Sequence, residues 1–307
     1  MREVPDIPQP QPQPLAQQTL DRIRVAFQGE LGAFGEEAVH TLWRGEAEPV
    51  PSATFEDVLE AAETEQVDYG LLPLESTLVG GIDVTYDLLS LHDGLWIVNE
   101  VIVPVHLSVV ALPGATLHEL RTLASHPVIL GQCSHFLEGH KHITPLPAWD
   151  TAGAAREVAE LGDPTRAAAG SRRAAERFGL TILADRIEDR PDNQMRFLAV
   201  GRSPAAINAG VMARSAVLSV LHSTAGALVA AIQPLAMAGF SLTHLASRPT
   251  REPWRYQFFL EFEHPAGDRR AVDALAAIRR ASAEFRYLGT YPKWPVPDDA
   301  DAGGFPF

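Results

Sequence analysis

Short apolar runs alternate with amphipathic stretches from about residue 21 to residue 200. The apolar runs have the length and composition of buried strands, and the stretches between them repeat apolar residues at helical spacing. Strands that alternate with helices predict an α/β fold of layered, mainly parallel sheets. The predicted strands are 23–27, 68–74, 95–103, 106–112, 166–170, 180–185 and 196–200, and the predicted helices are 32–43, 54–64, 151–161 and 171–179.

Residues at the boundaries support these helices. Thr54, Thr151 and Ser171 each stand where a helical pattern begins, and their hydroxyls can accept hydrogen bonds from the free amides of a first turn. Gly179 follows the last of these helices and is a good stop signal, because glycine adopts the left-handed conformation at little cost.

A different pattern follows a run of small residues. The segment GRSPAAINAG (201–210) has no periodicity and indicates a linker, which we place at 204–213. Residues 214–293 then follow the order βαββαβ, which is a ferredoxin-like unit of the kind that often binds a ligand or pairs with a copy of itself. Its predicted strands are 216–222, 241–249, 254–262 and 284–292, and its predicted helices are 226–239 and 271–282.

The two ends of the chain differ from this pattern. Residues 1–20 are rich in proline and glutamine, which predicts a mobile extended tail, and residues 294–307 are expected to be disordered as well. We find no apolar run of signal-peptide length at the start and none long enough to span a bilayer. Residues 21–203 therefore form the larger predicted domain.

Charge and cysteine content narrow the class of protein. The 39 acidic residues outweigh 25 Lys and Arg and give a net charge of −14, which argues against a nucleic-acid partner. Cys133 is the single cysteine, so an intrachain disulfide is excluded and a reducing compartment is allowed. We expect a cytoplasmic protein with no membrane partner.

The first candidate site is the segment GELGAFGEEA (29–38), which follows a predicted strand and opens a helix. Its glycines at 29, 32 and 35 match neither the GxGxxG fingerprint nor a P-loop. Two readings stay open here. The segment is either a tight strand-to-helix turn or a helix N-terminus whose amides face an anion.

The second candidate is LLPLESTLVGG (71–81), in which a buried strand ends at Glu75, Ser76 and Thr77. Open α/β sheets bind their ligands at the carboxyl ends of strands, so these side chains are candidates for a binding site. A helix cap supplied by the serine or threonine is the alternative.

The third candidate is LASHPVILGQCSHF (123–136). Ser125 is predicted to cap a helix with Pro127 early in its first turn, and Gln132 and Cys133 are predicted to lie inside that helix.

Three histidines near this segment raise the question of a metal site. His135, His140 and His142 lie close together in sequence, but no cysteine, aspartate or glutamate completes a familiar ligand spacing. We therefore expect no metal.

The fourth candidate, PDNQMRF (191–197), completes an ordered set that resembles prephenate dehydratases. That family carries a GPxGTFSEEA-like start, then ENS, SHPxxxxQC and TRF segments, and an ACT domain with GAL and ESRP motifs. The corresponding segments here read GELGAFGEEA, EST, SHPVILGQC, MRF, GAL and ASRP. The resemblance covers roughly residues 23–292, and several motifs in order are far more specific than any one of them.

The resemblance implies a fold and an activity. Residues 21–203 would form a bilobed catalytic domain like a type II periplasmic binding protein, and residues 214–293 would form a regulatory ACT domain. Prephenate would lose carbon dioxide and its ring hydroxyl in the interlobe cleft to give phenylpyruvate, a step of phenylalanine biosynthesis. The family needs no metal or organic cofactor, since aromatisation drives the reaction.

The resemblance also implies roles for residues of this chain. Two carboxylates must be held and the leaving hydroxyl must be protonated, and helix N-termini are natural anion holders. Arg196 is a further anion holder unless it forms a structural ion pair. The implied catalytic positions are Glu75, Ser76, Gln132 and Met195, and the implied substrate-binding positions are Gly32, Ala33, Thr77, Ser125, His126, Thr151, Asn193, Arg196 and Phe197.

Several positions depart from the family pattern. Ser76 replaces an asparagine, Thr77 replaces a serine, and Ala33 and Gly35 replace hydroxyl residues. The largest departure is Met195, which occupies the position of the family's proton-donating threonine.

Methionine has no hydrogen-bond donor, so it cannot act as a general acid. Loss of such a group typically costs ~10²–10⁴-fold in rate. Three readings follow: an inactivated dehydratase, a divergent member that binds a related compound, or an active enzyme whose proton comes from Ser76, Thr77 or His126.

In the ACT family, GAL and ESRP line a phenylalanine site at a dimer interface. Gly226, Ala227 and Leu228 keep the first motif; Ser247, Arg248 and Pro249 keep most of the second, although Ala246 replaces its acidic residue. The resemblance thus implies prephenate as substrate, phenylalanine as effector and a homodimer or homotetramer. Arogenate as substrate and an ACT domain that only dimerises are the alternatives.

Overall fold

The computed structural model describes residues 22–295. The predicted tail at 1–20 and all but the first two residues of the predicted tail at 294–307 lie outside the described residues. Three β-sheets organise the described part of the chain. No helix within residues 22–295 is long and apolar enough to cross a membrane.

The first lobe is an open sheet with helices on both faces. Its leading strand pairs in parallel with the next two strands of the lobe, as predicted for an α/β fold. In chain order its elements are β1 (Arg24–Gln28), α1 (Phe34–Leu42), β2 (Glu48–Ser52), α2 (Phe55–Glu63), β3 (Tyr69–Ser76), β4 (Gly80–Gly81), α3 (Asp83–Leu89) and β5 (Trp96–Pro104).

The chain then crosses into a second lobe with its own sheet, of strand order β10-β6-β9-β7-β8. Its elements are β6 (Ser108–Ala111), β7 (Thr122–Ser125), α4 (Pro127–Gly131), α5 (Ser134–Gly139), β8 (Thr144–Pro147), α6 (Thr151–Leu161), β9 (Arg166–Gly170), α7 (Arg172–Phe178) and β10 (Thr181–Ala184).

Strand β11 (Gln194–Gly201) returns to the first lobe and lies between β3 and β5. The chain thus crosses between the lobes twice, which confirms the bilobed fold. The expectation of mainly parallel sheets is wrong, because the returning β11 runs antiparallel to both of its neighbours. The second sheet is mixed for a similar reason, since β6 is antiparallel to both β9 and β10.

The C-terminal domain has the predicted βαββαβ order, which is confirmed. Its four-stranded antiparallel sheet has the order β13-β14-β12-β15. One face packs against its two helices, and the other face packs against the first lobe. The elements are β12 (Met212–Leu221), α8 (Ala227–Ala238), β13 (Leu242–Pro249), β14 (Tyr256–Pro265), α9 (Arg269–Ala281) and β15 (Ser282–Pro292).

Two predicted helix caps are confirmed and two are wrong. The side chains of Thr54 and Ser171 accept amide hydrogen bonds as predicted. Thr151 is instead the first helical residue, because the carboxylate of Asp150 takes the capping position.

Ser125 is buried at the end of β7, and its hydroxyl donates to the carbonyl of Ala169 at 2.7 Å. His126 is therefore the cap of α4. This helix ends at Gly131, so the prediction that Gln132 and Cys133 lie inside it is also wrong.

Gly289 sets how closely the C-terminal sheet approaches the first lobe. Its φ of +136° is unfavourable for other residues, and a Cβ there would lie 2.6 Å from the carbonyl oxygen of Ile97 in β5. A side chain at this position would therefore have to push the two domains apart.

We expect Gly289→Ala to destabilise the protein by about 1–3 kcal/mol from backbone strain alone, with a further loss from the displaced interface. Gly114→Ala is the matched control, since Gly114 has a φ of +89° but nothing within 4 Å of the added carbon. Thermal unfolding should show a clearly lower midpoint for Gly289→Ala. Equal midpoints would mean that this contact does not constrain the docking.

Candidate active site

The pairing of β3 with β11 sorts the candidate residues onto two faces of the first sheet. Met195 lies opposite Ser76 and Arg196 lies opposite Glu75, and the register then shifts so that Phe197 lies opposite Pro73. Opposed residues of an antiparallel pair project to the same face, and neighbours along a strand project to opposite faces. Ser76 and Met195 therefore share one face, while Glu75 and Arg196 share the other.

Ser76, Asn193 and Gln132 form a chain of polar side chains between the lobes. The Oγ of Ser76 lies 3.5 Å from Oδ1 of Asn193, whose Nδ2 donates to Oε1 of Gln132 at 2.8 Å. Ser76 and Asn193 are 6% and 1% exposed. Three site residues predicted from the sequence thus meet at a position that is largely shielded from solvent.

Met195 completes this face of the sheet. Its side chain is half-buried against an apolar cluster that draws on both lobes and includes Phe27, Leu123 and Phe197. Phe197 is itself buried in this cluster, so it contributes to the core between the lobes. The apolar surroundings of Ser76 exclude water from the polar chain.

Thr77 fixes the turn that leads into β11. Its hydroxyl donates to the carbonyl of Asp192 at 3.2 Å and accepts from the amide of Gln194 at 2.9 Å. The residue therefore holds Asn193 in place through the backbone on either side of it.

The β1–α1 turn brings the first lobe against the second. Gly32 has a φ of +103°, a Cβ there would lie 3.0 Å from Cα of Ala174, and its carbonyl accepts from Ser171 Oγ at 2.6 Å. Ala33 caps α1 without a side-chain hydrogen bond, and the buried first-turn carboxylate of Glu36 accepts the Gly32 amide at 2.5 Å, so an anionic group already lies at this helix N-terminus.

A cavity of about 560 Å³ opens beside this turn, between Gly29 and Asp150. A bidentate ion pair joins the lobes at this cavity, with Arg156 Nε and Nη2 at 2.8 and 2.9 Å from the carboxylate of Glu30. The α6 N-terminus at Thr151 is already occupied by the Asp150 carboxylate.

Two other predicted binding residues make local bonds. Ser125 is fully buried against Ala169, and the exposed His126 accepts the amide of Val128 at its Nδ1. Neither hydrogen-bonds to the chain formed by Ser76, Asn193 and Gln132.

The opposite face of the sheet carries a buried ion-pair cluster. Arg196 donates to Glu100 at 2.6 Å, to Glu75 at 2.9 Å and to Glu261 of the C-terminal domain at 2.5 Å. Arg214 of the C-terminal domain also donates to Glu100, at 2.9 Å. The structural ion pair, one of the two readings of Arg196, is thus the one that its contacts support.

Glu75 is drawn into the same cluster. Its carboxylate also lies 3.1 Å from Nδ1 of His244 on β13. Burial acts to raise the pKa of Glu75, but hydrogen bonds from His244 and Arg196 outweigh burial and lower that pKa to about 2. The carboxylate is therefore ionised at neutral pH and is aimed at the C-terminal domain rather than at the cleft.

The predicted effector residues lie on two sides of β13 and at the start of α8. Gly226 caps α8 in the left-handed conformation, directly before Ala227 and Leu228. Arg248 makes a bidentate bond to Asp87 on α3, with both contacts at 2.8 Å, and so it also ties the C-terminal domain to the first lobe.

Ser247 and Pro249 lie on the exposed side of β13. Ala246 lies on the other side, partly buried against the first lobe. The serine and the proline of this motif are thus presented to solvent in the single chain, and the arginine is not.

Comparisons with known proteins identify the family of the chain. The family model for prephenate dehydratase matches residues 25–205. Prephenate dehydratase of Mycobacterium tuberculosis is 35% identical over 292 residues, which covers 89% of this chain and 88% of the relative. The chain belongs to the prephenate dehydratase family, whose members by name are hydro-lyases.

Other relatives extend the comparison. Arogenate dehydratase/prephenate dehydratase 2 of Arabidopsis thaliana is 35% identical over 281 residues, or 88% of this chain and 73% of that protein. Prephenate dehydratase of Arthrobacter aurescens in complex with L-Phe superposes with a TM-score of 0.81 at 29% identity, over 90% of this chain and 94% of that one. The quorum-quenching acylase GqqA also has a TM-score of 0.81, at 32% identity, over 89% and 98%.

We expect Arg196→Met to destabilise the protein by about 3–5 kcal/mol, because the buried Glu261 would lose its closest cation and Glu100 would keep Arg214 alone. Arg172→Met is the matched control. Arg172 pairs with Asp185 at 2.8 Å on the surface, where both side chains are well exposed, and such a pair contributes at most about 1 kcal/mol. Urea unfolding of both variants would measure the difference, and similar midpoints would contradict a central role for the cluster.

Proposed function

We propose that this chain converts prephenate to phenylpyruvate in its interlobe cleft, as a step of phenylalanine biosynthesis. The observation that carries the proposal is the buried chain of Ser76, Asn193 and Gln132, which lies where the main chain returns from the second lobe into β11. Family membership and the bilobed fold support the same activity. Residues 21–203 would form the catalytic domain and residues 214–293 the ACT domain, joined by the linker at 204–213.

The chemistry of prephenate sets the requirements that this cleft must meet. The substrate carries two carboxylates, and the remaining first-turn amides of α1 are candidate holders for one of them, beside the Glu36 carboxylate that already accepts the Gly32 amide. The apolar cluster around Met195 and Phe197 shields the reacting ring from water. Polar side chains that are fixed in a water-free site stabilise developing charge without reorganising. Such stabilisation supplies a large part of the rate enhancement in most enzymes. The reaction needs no electron sink, because the aromatic ring forms as the bonds break.

Arogenate is the second candidate substrate, since plant relatives of this chain are named for both activities. An acylase activity like that named for GqqA is less well supported. Acyl transfer requires a nucleophile beside a general base. The Ser76 hydroxyl contacts an amide oxygen and the Leu78 amide instead.

Incubating the purified chain with prephenate at neutral pH should give phenylpyruvate above the spontaneous rate. A parallel assay with arogenate, followed by phenylalanine formation, decides between the two substrates. Met195→Thr, run beside the wild type, restores the family's hydroxyl. If neither protein forms product, the enzyme proposal is wrong, and if only Met195→Thr does, the natural chain is a disabled dehydratase that binds without turnover.

We also propose that phenylalanine binds at an interface between two copies of the C-terminal domain, in a cytoplasmic homodimer. Strand β13 is an edge of its sheet in the described chain, and Leu245 on it is 43% exposed. Val229 on α8 is 59% exposed. An open edge strand with exposed apolar side chains favours pairing with another chain. Ser247, Pro249 and the Gly226 turn would then lie close to this interface.

Leu245→Lys should convert the dimer to a monomer in light scattering and abolish phenylalanine binding in isothermal titration calorimetry. Leu161→Lys, at a leucine of α6 that is 53% exposed, should change neither. A dimer that survives Leu245→Lys would place the interface elsewhere. No heat from the wild type at millimolar phenylalanine would rule out the regulatory role and leave the domain with dimerisation alone.

A further inference from the structure

We infer that the Ser76 hydroxyl protonates the leaving hydroxyl group and thereby does the work of the threonine that Met195 replaces. The inference rests on the proposed function and adds the identity of the proton donor. It starts from the β3–β11 register, in which Ser76 and Met195 lie directly opposite each other. Opposed residues have Cβ atoms about 4.5–5.5 Å apart on one face of the sheet. A hydroxyl on residue 76 therefore reaches the space that a hydroxyl on residue 195 would serve.

The hydrogen bonds of Ser76 leave its proton available. The Oγ accepts the Leu78 amide at 3.2 Å, and its contact with Asn193 Oδ1, at 3.5 Å, is at the long limit for a hydroxyl donor. Asn193 is held by Gln132, so this acceptor is fixed. The hydroxyl is therefore oriented but weakly engaged, and it can turn toward a better acceptor.

Three neighbouring hydroxyl groups are committed to other partners. The hydroxyls of Ser125 and Ser171 donate to backbone carbonyls at 2.7 and 2.6 Å. Thr77 follows Ser76 in the chain, and its hydroxyl bonds the backbone at Asp192 and Gln194.

His126 lies on the second lobe, is exposed, and accepts the Val128 amide at its Nδ1. Of these hydroxyl and imidazole groups, Ser76 is the one that is both buried and without a close acceptor.

The proposed step balances. The bond between the ring and its carboxylate breaks and releases carbon dioxide, and its electron pair enters the ring. The bond between the ring and the hydroxyl oxygen breaks, and that oxygen keeps the pair and takes the Ser76 proton to leave as water. The Leu78 amide stabilises the serine alkoxide, which recovers a proton from solvent. The net reaction is prephenate dianion plus one proton to phenylpyruvate anion, carbon dioxide and water.

Steady-state kinetics on prephenate test the inference. Ser76→Ala should lower kcat by roughly 10²–10³-fold with KM within about threefold of the wild type, because a general acid acts only in the transition state. Ser76→Thr keeps the hydroxyl and should retain at least a tenth of the activity. Ser90→Ala, at the end of α3 and outside the cleft, is the matched control and should behave as the wild type. Far-ultraviolet circular dichroism checks that each variant is folded.

A swap of two residues separates a chemical role from a structural one. Ser76→Asn should be as poor as Ser76→Ala, and adding Met195→Thr to it should recover at least tenfold in kcat, since the hydroxyl then returns from the opposite strand. A Ser76→Ala enzyme within twofold of the wild type would overturn the inference, as would a swap that recovers nothing. A wild type that turns over neither prephenate nor arogenate would instead overturn the proposed function itself.

Discussion

The architecture depends on one guanidinium group, that of Arg196, buried beneath the central sheet of the first lobe. It contacts carboxylates from β3 and β5 of the catalytic half and from β14 of the C-terminal domain, so three strands converge on one cation. Each of these charges would be costly to bury alone, and together they compensate one another. The docking of the two domains is therefore specified by charge pairing as well as by apolar packing, and the group at its centre belongs to β11, the strand by which the chain returns to the first lobe.

The register shift between Arg196 and Phe197 allows the ion-pair cluster to lie on one face of the first sheet and the cleft to lie on the other face. Leu72 and Leu74 both pack toward the C-terminal domain, and the shift leaves Glu75 on that side as well. Ser76 then falls on the cleft face beside Met195. Consecutive residues of one motif consequently serve two different surfaces, one of which binds the partner domain while the other shapes the site.

Much of the fold could be predicted from the sequence because its strands are apolar runs with clear helical stretches between them. The β9 segment RAAAG and the α6 helix were predicted with their observed limits. Strands β2 and β8, with the sequences EPVPS and TPLP, were missed, because proline removes ladder donors and is tolerated at sheet edges. The mixed direction of both sheets was missed too, since it depends on crossings between lobes that no local pattern records.

The sequence predicts which residues form the candidate site, but it does not predict the direction in which their side chains point. The motif identified Ser76, Gln132 and Asn193, which the structure brings together. It could not show that Glu75 and Arg196 face away from them, because their direction follows from a register shift and from Glu261, a partner 65 residues further along the chain. The sequence does not distinguish Asp150 from Thr151 as the cap of α6, because both residue types favour that position, and the Asp150 carboxylate at the Gly153 amide decides between them.

The Glu30–Arg156 pair has a consequence for how the two lobes are held together. It is a charged contact between the lobes that lines the cavity, and its side chains are 39% and 42% exposed. An ion pair this exposed contributes at most about 1 kcal/mol and weakens as ionic strength rises. This ion pair therefore holds the lobes together only weakly, and the buried hydrogen bond from Ser171 to the Gly32 carbonyl is the firmer of the two contacts. Salt should weaken the exposed pair, while the buried charges on the far side of the sheet are screened much less.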